Sequence, residues 1–238
     1  MTMQYDINDK NSILAFTKRL TGKSLREVLP SNLTKQIEEQ LISAGNKGKL
    51  GHKVEKHFFG YKLNSSDEPD FPCGLELKVT PLKCLKNGSL SPKERLVCNI
   101  INYMEIINER WETSSFLNKN REILMLRYVD PLDSTVSQLD YKFLDVRIHN
   151  LITSDDLEQF EEDWNFIVNK IRLGKAHKLS ESDTKFLGAC SKGADKTSTR
   201  HQPYSNEMAM QRAFSFKTQY MRVLLNRSPE IFDLFKTL

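Results

Sequence analysis

Cysteine is scarce in this sequence: four in 238 residues, at Cys73, Cys84, Cys98 and Cys190. None forms a CxxC pair and none has a histidine at finger spacing, which excludes a disulfide framework and a structural zinc site and leaves idle thiols of a reducing compartment. No uninterrupted apolar stretch approaches membrane-spanning length, and the opening MTMQYDINDKN lacks a signal-peptide core. The expectation is therefore a cytoplasmic protein with no membrane partner. The five histidines (His52, His57, His149, His177, His201) make no HExxH, and neither a GxSxG elbow nor a catalytic-cysteine signature occurs. "TGKS" is not a phosphate-binding loop, because the glycine it needs five residues before Gly22 is Thr17. Internal repeats and low-complexity linkers are absent as well, so one mixed α/β domain spanning 1–238 is the simplest description.

What is present is charge, unevenly spread. The net charge is +4, yet residues 130–163 carry ten acids against Lys142 and Arg147. Residues 185–222 reverse this, with seven bases (Lys185, Lys192, Lys196, Arg200, Arg212, Lys217, Arg222) against Asp195 and Glu207. A basic face of that size suits a phosphate backbone, and an acidic one turns away from it; two ordinary solvated surfaces would have the same composition.

Periodicity predicts helices over 10–20, from Ser24 (an N-cap with Glu27 three residues on), over 33–43, and over 52–60 with Gly60 as its stop. The segment 44–51 between the last two reads as a loop. Strands are expected at 75–80, 122–129 and within 139–148. A long amphipathic helix follows over 155–174, with Leu157, Phe160, Trp164, Ile167, Val168 and Ile171 on one stripe. Residues 188–206 read as an exposed loop and 207–225 as helix. Trp111 and Trp164 are expected in the core.

"PDFPCGLELKV" (69–79) places two acids and a lysine close together. As a bare pattern, acid-x-Lys means little: chance gives about three in this composition, and the chain has three, at Asp140–Lys142, Asp183–Lys185 and Glu76–Lys78. On a strand, Glu76 and Lys78 share one face while Leu75, Leu77 and Val79 face the core. The Pro/Gly turn can return Asp70 beside Glu76. Two convergent carboxylates, with the Leu77 carbonyl, make a hard oxygen site suited to Mg²⁺. Lys78 would then orient a water for in-line attack on a phosphodiester. The residues alone leave a second reading open, a surface ion pair on an edge strand. Glu55, on a helical turn upstream, and Lys119, before the next strand, would complete the first.

These residues lie in blocks that resemble a known family, the DNA mismatch-repair nuclease MutH and the related Sau-type restriction endonucleases that cut at GATC. The resemblance runs from about Gly22 to Arg222, and it is densest toward the restriction enzymes in "GLELKVTPLKCLKNGSLSPKERLVCNIINY", "ETSSFLNKN" and the segment from "CSKGAD" through "QRAFSFK" to "YM". It implies the α/β core of type II restriction enzymes: a mixed β-sheet flanked by helices, with two arms forming a DNA cleft. The N-terminal, catalytic arm would be about 1–130 and the C-terminal, DNA-recognition arm about 131–238.

By the same resemblance Asp70, Glu76 and Lys78 are the catalytic set, Asp70, Glu76 and Leu77 the metal ligands, and Glu55 and Lys119 their supports. Arg212, Phe214 and Lys217 in the matched block, with Lys192, Arg200, Gln202 and Tyr204 in the adjoining loop, would contact DNA, Arg or Lys to guanine and Gln to adenine. Core packing is the other role open to Phe214 and Phe216. The implied activity is Mg²⁺-dependent cleavage of double-stranded DNA at GATC, leaving a 5′-phosphate and a 3′-hydroxyl, of restriction type. The alternatives are a methylation-directed nicking endonuclease of mismatch repair and a GATC-binding effector that does not cut.

Two departures from the family pattern stand out. Five residues, Phe71 to Leu75, separate Asp70 from Glu76 where six are usual, so the turn must be tighter. The GATC restriction enzymes of this type also carry a second, similar domain after the catalytic one. The chain is thus expected to be either the catalytic half of such an enzyme or a compact relative like the repair nuclease. A homodimer, or a second effector domain or protomer on the DNA, would supply a double-strand cut.

Overall fold

The computed structural model describes residues 4–43, 50–61, 68–193, 195 and 197–237. Most of the loop expected at 44–51 lies outside the described residues. Helix α1 (Lys10–Thr17) is capped by the Asp9 side chain and runs into a 3₁₀ turn at Lys18–Leu20. The capping box opens α2 (Leu25–Val28), where the Ser24 N–H donates to Glu27 Oε2 at 2.6 Å. Helix α3 (Ser31–Ser43) begins two residues before the expected start. Helix α4 (Leu50–Lys53) widens into a π-turn, Val54–Phe59, that Gly60 ends in the left-handed conformation at φ 78°.

The larger sheet is mixed, in the order β2-β1-β4-β5. Strand β1 (Leu75–Cys84) runs parallel to β4 (Glu122–Asp130), pairing from Leu75↔Glu122 to Lys83↔Asp130. Strands β2 (Leu90–Pro92) and β5 (Phe143–Asn150) flank them antiparallel. A second, antiparallel sheet has the order β3-β9-β6: β3 (Leu96–Ile100), β9 (Arg212–Phe216) and β6 (Leu187–Ser191). Strands β7 (Thr199–Arg200) and β8 (Ala209–Met210) form a small ribbon. Short helices α5 (Tyr103–Ile106) and α6 (Ser115–Asn120), the long α7 (Leu157–Arg172), and α8 (Thr218–Asn226) with α9 (Glu230–Lys236) pack around them. This is the expected mixed sheet flanked by helices.

Two expectations are corrected. The segment 188–206 is not all loop, since it starts inside β6 and contains β7. The segment 207–225 is strand before it is helix, because β8 and β9 precede α8. The cause is burial: β9 is the central strand of its sheet, and Ala213, Phe214, Ser215 and Phe216 are all buried. A strand covered on both faces has no alternation of its own to report.

Strand β4 divides two cores. Leu124 and Leu126 join Leu75, Leu77, Phe71, Phe143 and the helices of the first sixty residues. Ile123 and Met125, pointing oppositely, join Phe116, Phe160, Phe214 and Phe216 with Trp111 and Trp164, which are buried as expected. The acidic stretch 130–163 is partly inside the protein. Asp145 holds the buried Arg127 through two bonds of 2.7 and 2.6 Å, and Asp163 accepts the backbone N–H groups of Lys185, Phe186 and Leu187. Asp156 pairs with Arg227. These three acids fix elements to one another.

Candidate active site

The site is built at the start of β1. Pro69 and Pro72 restrict the approach, and Gly74, at φ 88°, takes the left-handed conformation that closes the turn. Within it the Phe71 N–H donates to the Leu75 carbonyl at 3.0 Å and the Gly74 N–H to the Phe71 carbonyl at 2.9 Å. Short as it is, the turn returns Asp70 to the strand: its Oδ2 accepts the Leu77 N–H at 2.9 Å.

Leu75 and Leu77 face the core and Val79 packs partly against it, as the alternation requires. Glu76 and Lys78 lie on the opposite face and form an ion pair at 2.7 Å, with only 3% and 16% of their side chains exposed. That burial corrects the reading as a surface ion pair. Glu76 Oε1 is taken by Lys78, while Oε2 is buried without a hydrogen-bond partner. A buried carboxylate oxygen with no donor is costly. It marks where a cation or a protonated donor belongs.

Glu55 comes from the π-turn, whose Phe58 and Phe59 pack on Phe16, Tyr5 and Phe71. The Gly60 and Tyr61 N–H groups both return to the Glu55 carbonyl, at 3.0 and 3.3 Å. A Cβ built on Gly51 would touch Val79 Cβ at 3.8 Å and Glu55 Oε1 at 3.9 Å, which sets this carboxylate against β1. Burial, with the nearby Asp70 and Glu76 carboxylates, pushes the Glu55 carboxyl up to about 7 against the pull of Lys78. Glu76 is likewise raised, by burial and by Asp70, although Lys78 and Lys119 oppose it. Burial draws the Lys78 ammonium down, but the Glu76 carboxylate, with Cys98 and Asp70, outweighs it and Lys78 stays raised. Lys119 reaches this field from the last turn of α6, which Ser114 caps through the Leu117 N–H at 3.2 Å. All five expected residues therefore share one electrostatic environment.

Sequence reasoning missed two neighbours. Tyr61 has a buried hydroxyl without a hydrogen-bond partner; burial and the Asp70, Glu55 and Glu76 carboxylates all raise it. Its ring lies against Phe71 and Phe59. Cys98, on β3, brings the second sheet to Lys78, and burial pushes its thiol up to about 12. No motif flags either residue, since both arrive by packing alone.

Among the described residues no three His, Cys, Asp or Glu side chains form a ready-made cage for a metal. Mg²⁺ does not need one, because it is held through one or two carboxylates and keeps waters or phosphate oxygens for the remaining positions. The donor set, hard oxygens with the unpartnered Glu76 Oε2 among them, fits that ion.

A cleft of about 570 Å³ leads from Lys78 to Lys192, past Arg95, Ser191 and Glu181. Of the residues expected to contact DNA, Lys192 lines this cleft, and Arg200 and Tyr204 are exposed. Tyr204 is 79% exposed on a left-handed backbone, at φ 56°. The others are engaged inside the protein. Phe214 is fully buried against Phe116, which corrects its placement at a DNA surface. Gln202 is also buried: its Oε1 accepts the Ala176 N–H and its Nε2 meets His177 Nδ1 and the Glu207 carbonyl. Arg212 donates to the Ala189 and Leu179 carbonyls, and Lys217 to those of Glu181 and Thr184.

Residues 59–163 match the family model of the DNA mismatch repair enzyme MutH, a span that includes Asp70, Glu76, Lys78 and Lys119 and begins just after Glu55. The chain is 40% identical over 220 residues to the type II restriction enzyme Sau3AI of Staphylococcus aureus, covering 92% of this chain and 42% of that enzyme. The chain thus spans about two-fifths of the length of that relative. It is 28% identical to the DNA mismatch repair protein MutH of Shewanella woodyi, over 77% of this chain and 78% of the relative. With MutH of Shewanella amazonensis it shares 25% identity over 92% of this chain and 94% of the relative. Over most of its length, then, the chain is similar both to the mismatch-repair MutH proteins and to the Sau3AI restriction enzyme.

Proposed function

We propose that this chain is a Mg²⁺-dependent, site-specific endonuclease of restriction type that cleaves double-stranded DNA at GATC and leaves a 5′-phosphate and a 3′-hydroxyl. The observation that carries the proposal is the buried, unpartnered Glu76 Oε2 beside the Lys78 ion pair and the coupled carboxylates Asp70 and Glu55. Asp70, Glu76 and the Leu77 carbonyl would hold the ion. When bound, Mg²⁺ supplies Lewis-acid stabilisation of charge at the scissile phosphate.

The protein does the rest. Lys78, raised by its carboxylate neighbour, stays an ammonium near neutral pH and orients the attacking water as a donor. Glu55, poised near neutrality, exchanges a proton close to the same atoms. Lys119 adds positive charge on the phosphate side. Lys192 and Arg200 bind the DNA backbone and Tyr204 meets the duplex from its exposed turn. The GATC assignment rests on kinship with the GATC enzymes. A cytoplasmic location and pairing of two protomers for a double-strand cut belong to the same reading.

The near end-to-end match to MutH of Shewanella amazonensis favours a second reading, a methylation-directed nicking enzyme of mismatch repair. One experiment separates them: incubation of wild type and Glu76→Ala with Mg²⁺ and plasmids carrying unmethylated, hemimethylated or fully methylated GATC. Double-strand breaks that Glu76→Ala abolishes support restriction. Nicks confined to the unmethylated strand support repair. Binding without cleavage by wild type points to an effector and sinks the nuclease assignment, as does equal cleavage by Glu76→Ala.

A further inference from the structure

Arg95 precedes β3 and Glu181 precedes β6, the two outer strands of the second sheet, and their side chains form an ion pair where both line the cleft leading to Lys78. Each side chain is 37% exposed, so the pair faces the space a substrate would occupy.

Glu181 is not a loose surface acid. It begins a 3₁₀ turn, Glu181–Asp183, capped by Ser180. Lys217 Nζ binds the Glu181 carbonyl at 2.6 Å and the Thr184 carbonyl at 2.5 Å, Arg212 Nη2 binds the Leu179 carbonyl at 2.5 Å, and Lys170 pairs with Asp183 at 2.7 Å. A Cβ built on Gly188 would crowd Lys217 Cγ at 3.1 Å and touch Glu181 Oε2 at 3.4 Å, which places both side chains close over β6. Three basic side chains of the C-terminal half thus serve to hold one acid in a basic cleft. On the other side Arg95 lies between the Lys93–Asp130 ion pair and Leu96, which is paired with Phe216.

An acid fixed at that position cancels the arginine that would otherwise face a polyanion. The geometry points to Arg95 as a phosphate-binding residue of the cleft held in check by Glu181: a nucleic-acid backbone entering toward Lys78 exchanges the carboxylate on Arg95 for a phosphate. The inference rests on the nuclease reading and adds an entry step to it. Phosphate competes well for the guanidinium because its two non-bridging oxygens accept the planar N–H fork in bidentate fashion, and the exchange sets a modest threshold against weakly held polyanions.

The test is a double-mutant cycle on binding to a DNA duplex of about 20 bp, roughly two helical turns, in EDTA so that nothing is cut. Glu181→Gln should tighten binding about two- to fivefold, the worth of one exposed ion pair. Arg95→Gln should weaken binding and lower the slope of log affinity against log salt by about one, with Arg95→Lys retaining the slope. In the Arg95→Gln background Glu181→Gln should change nothing. Thermal unfolding checks that each variant is folded. Unchanged binding by Glu181→Gln, or an equal gain with and without Arg95, overturns the inference while leaving the nuclease reading intact. Failure of the wild type to bind duplex at all sinks that reading itself.

Discussion

The Asp70 carboxylate accepts the backbone N–H of Leu77 at 2.9 Å, so strand β1, and not the turn before it, sets the distance between Asp70 and Glu76. Gly74, at φ 88°, closes the short turn between them.

That bond separates two roles of Asp70. Asp70→Asn keeps an acceptor for the Leu77 N–H but lacks the charge a cation needs. It should unfold in urea as wild type does without metal and lose the stabilisation that Mg²⁺ gives wild type. Asp70→Ala should be less stable by about 1–2 kcal/mol with or without metal. A Mg²⁺-dependent shift retained by Asp70→Asn would remove Asp70 from the ligand set.

Glu55 gives a pH dependence of definite sign. Its carboxyl stands at about 7 in the folded protein, above the 4.5 of the free side chain. The folded state therefore holds the proton more tightly, and this contribution to stability is full below about 4.5 and lost as pH rises to about 7. Without divalent metal, denaturation midpoints should fall across that interval, and Glu55→Gln should flatten the decline. Mg²⁺ should stabilise wild type more at pH 8 than at pH 6. A flat profile for wild type would contradict the placement of Glu55.

Arg127 and Asp145 pair across β4 and β5 with almost no exposure, and Arg127 also reaches Ser228 Oγ at 2.9 Å. Asp145→Ala strands a buried guanidinium and should cost about 3–5 kcal/mol in a denaturant titration. The loss should appear equally at low and high salt, since the pair is shielded from ions.

Phe214 and Lys192 should behave as opposites. Phe214→Ala empties part of the larger core and should cost about 3–5 kcal/mol, without altering the salt slope of DNA binding measured below its unfolding temperature. Lys192→Ala should leave stability unchanged within about 0.5 kcal/mol and reduce that slope by about one.

How far the sequence carries the structure differs from element to element. Strand β4 was legible because ILMLRYV is aliphatic and bounded by polar residues, and α7 because its buried stripe keeps a helical period. Strand β9 was not, because four consecutive buried residues and the helix that follows merge into one apolar segment. Glu76 and Lys78 share their spacing with two other pairs, and the Pro/Gly turn before them, with the resemblance, singled them out. Their burial depends on what packs over them, including Cys98 from the other sheet. The resemblance offered Gln202, Arg212 and Lys217 as DNA contacts, but no pattern in the sequence shows that backbone groups at turns and strand ends take their side chains. Tyr61 had no pattern to announce it.

Strand β4 has one further consequence. Its even-numbered residues, Leu124 and Leu126, belong to one core and its odd-numbered ones, Ile123 and Met125, to the other. The first core also draws on Phe143 and Val146, and the second on Leu96 and Phe116, so each takes chain from both sides of residue 130. The described residues offer no seam along which the protein can melt in halves: loss of either core frees the strand that seals its neighbour, and the end of β1 that carries Glu76 and Lys78 goes with it.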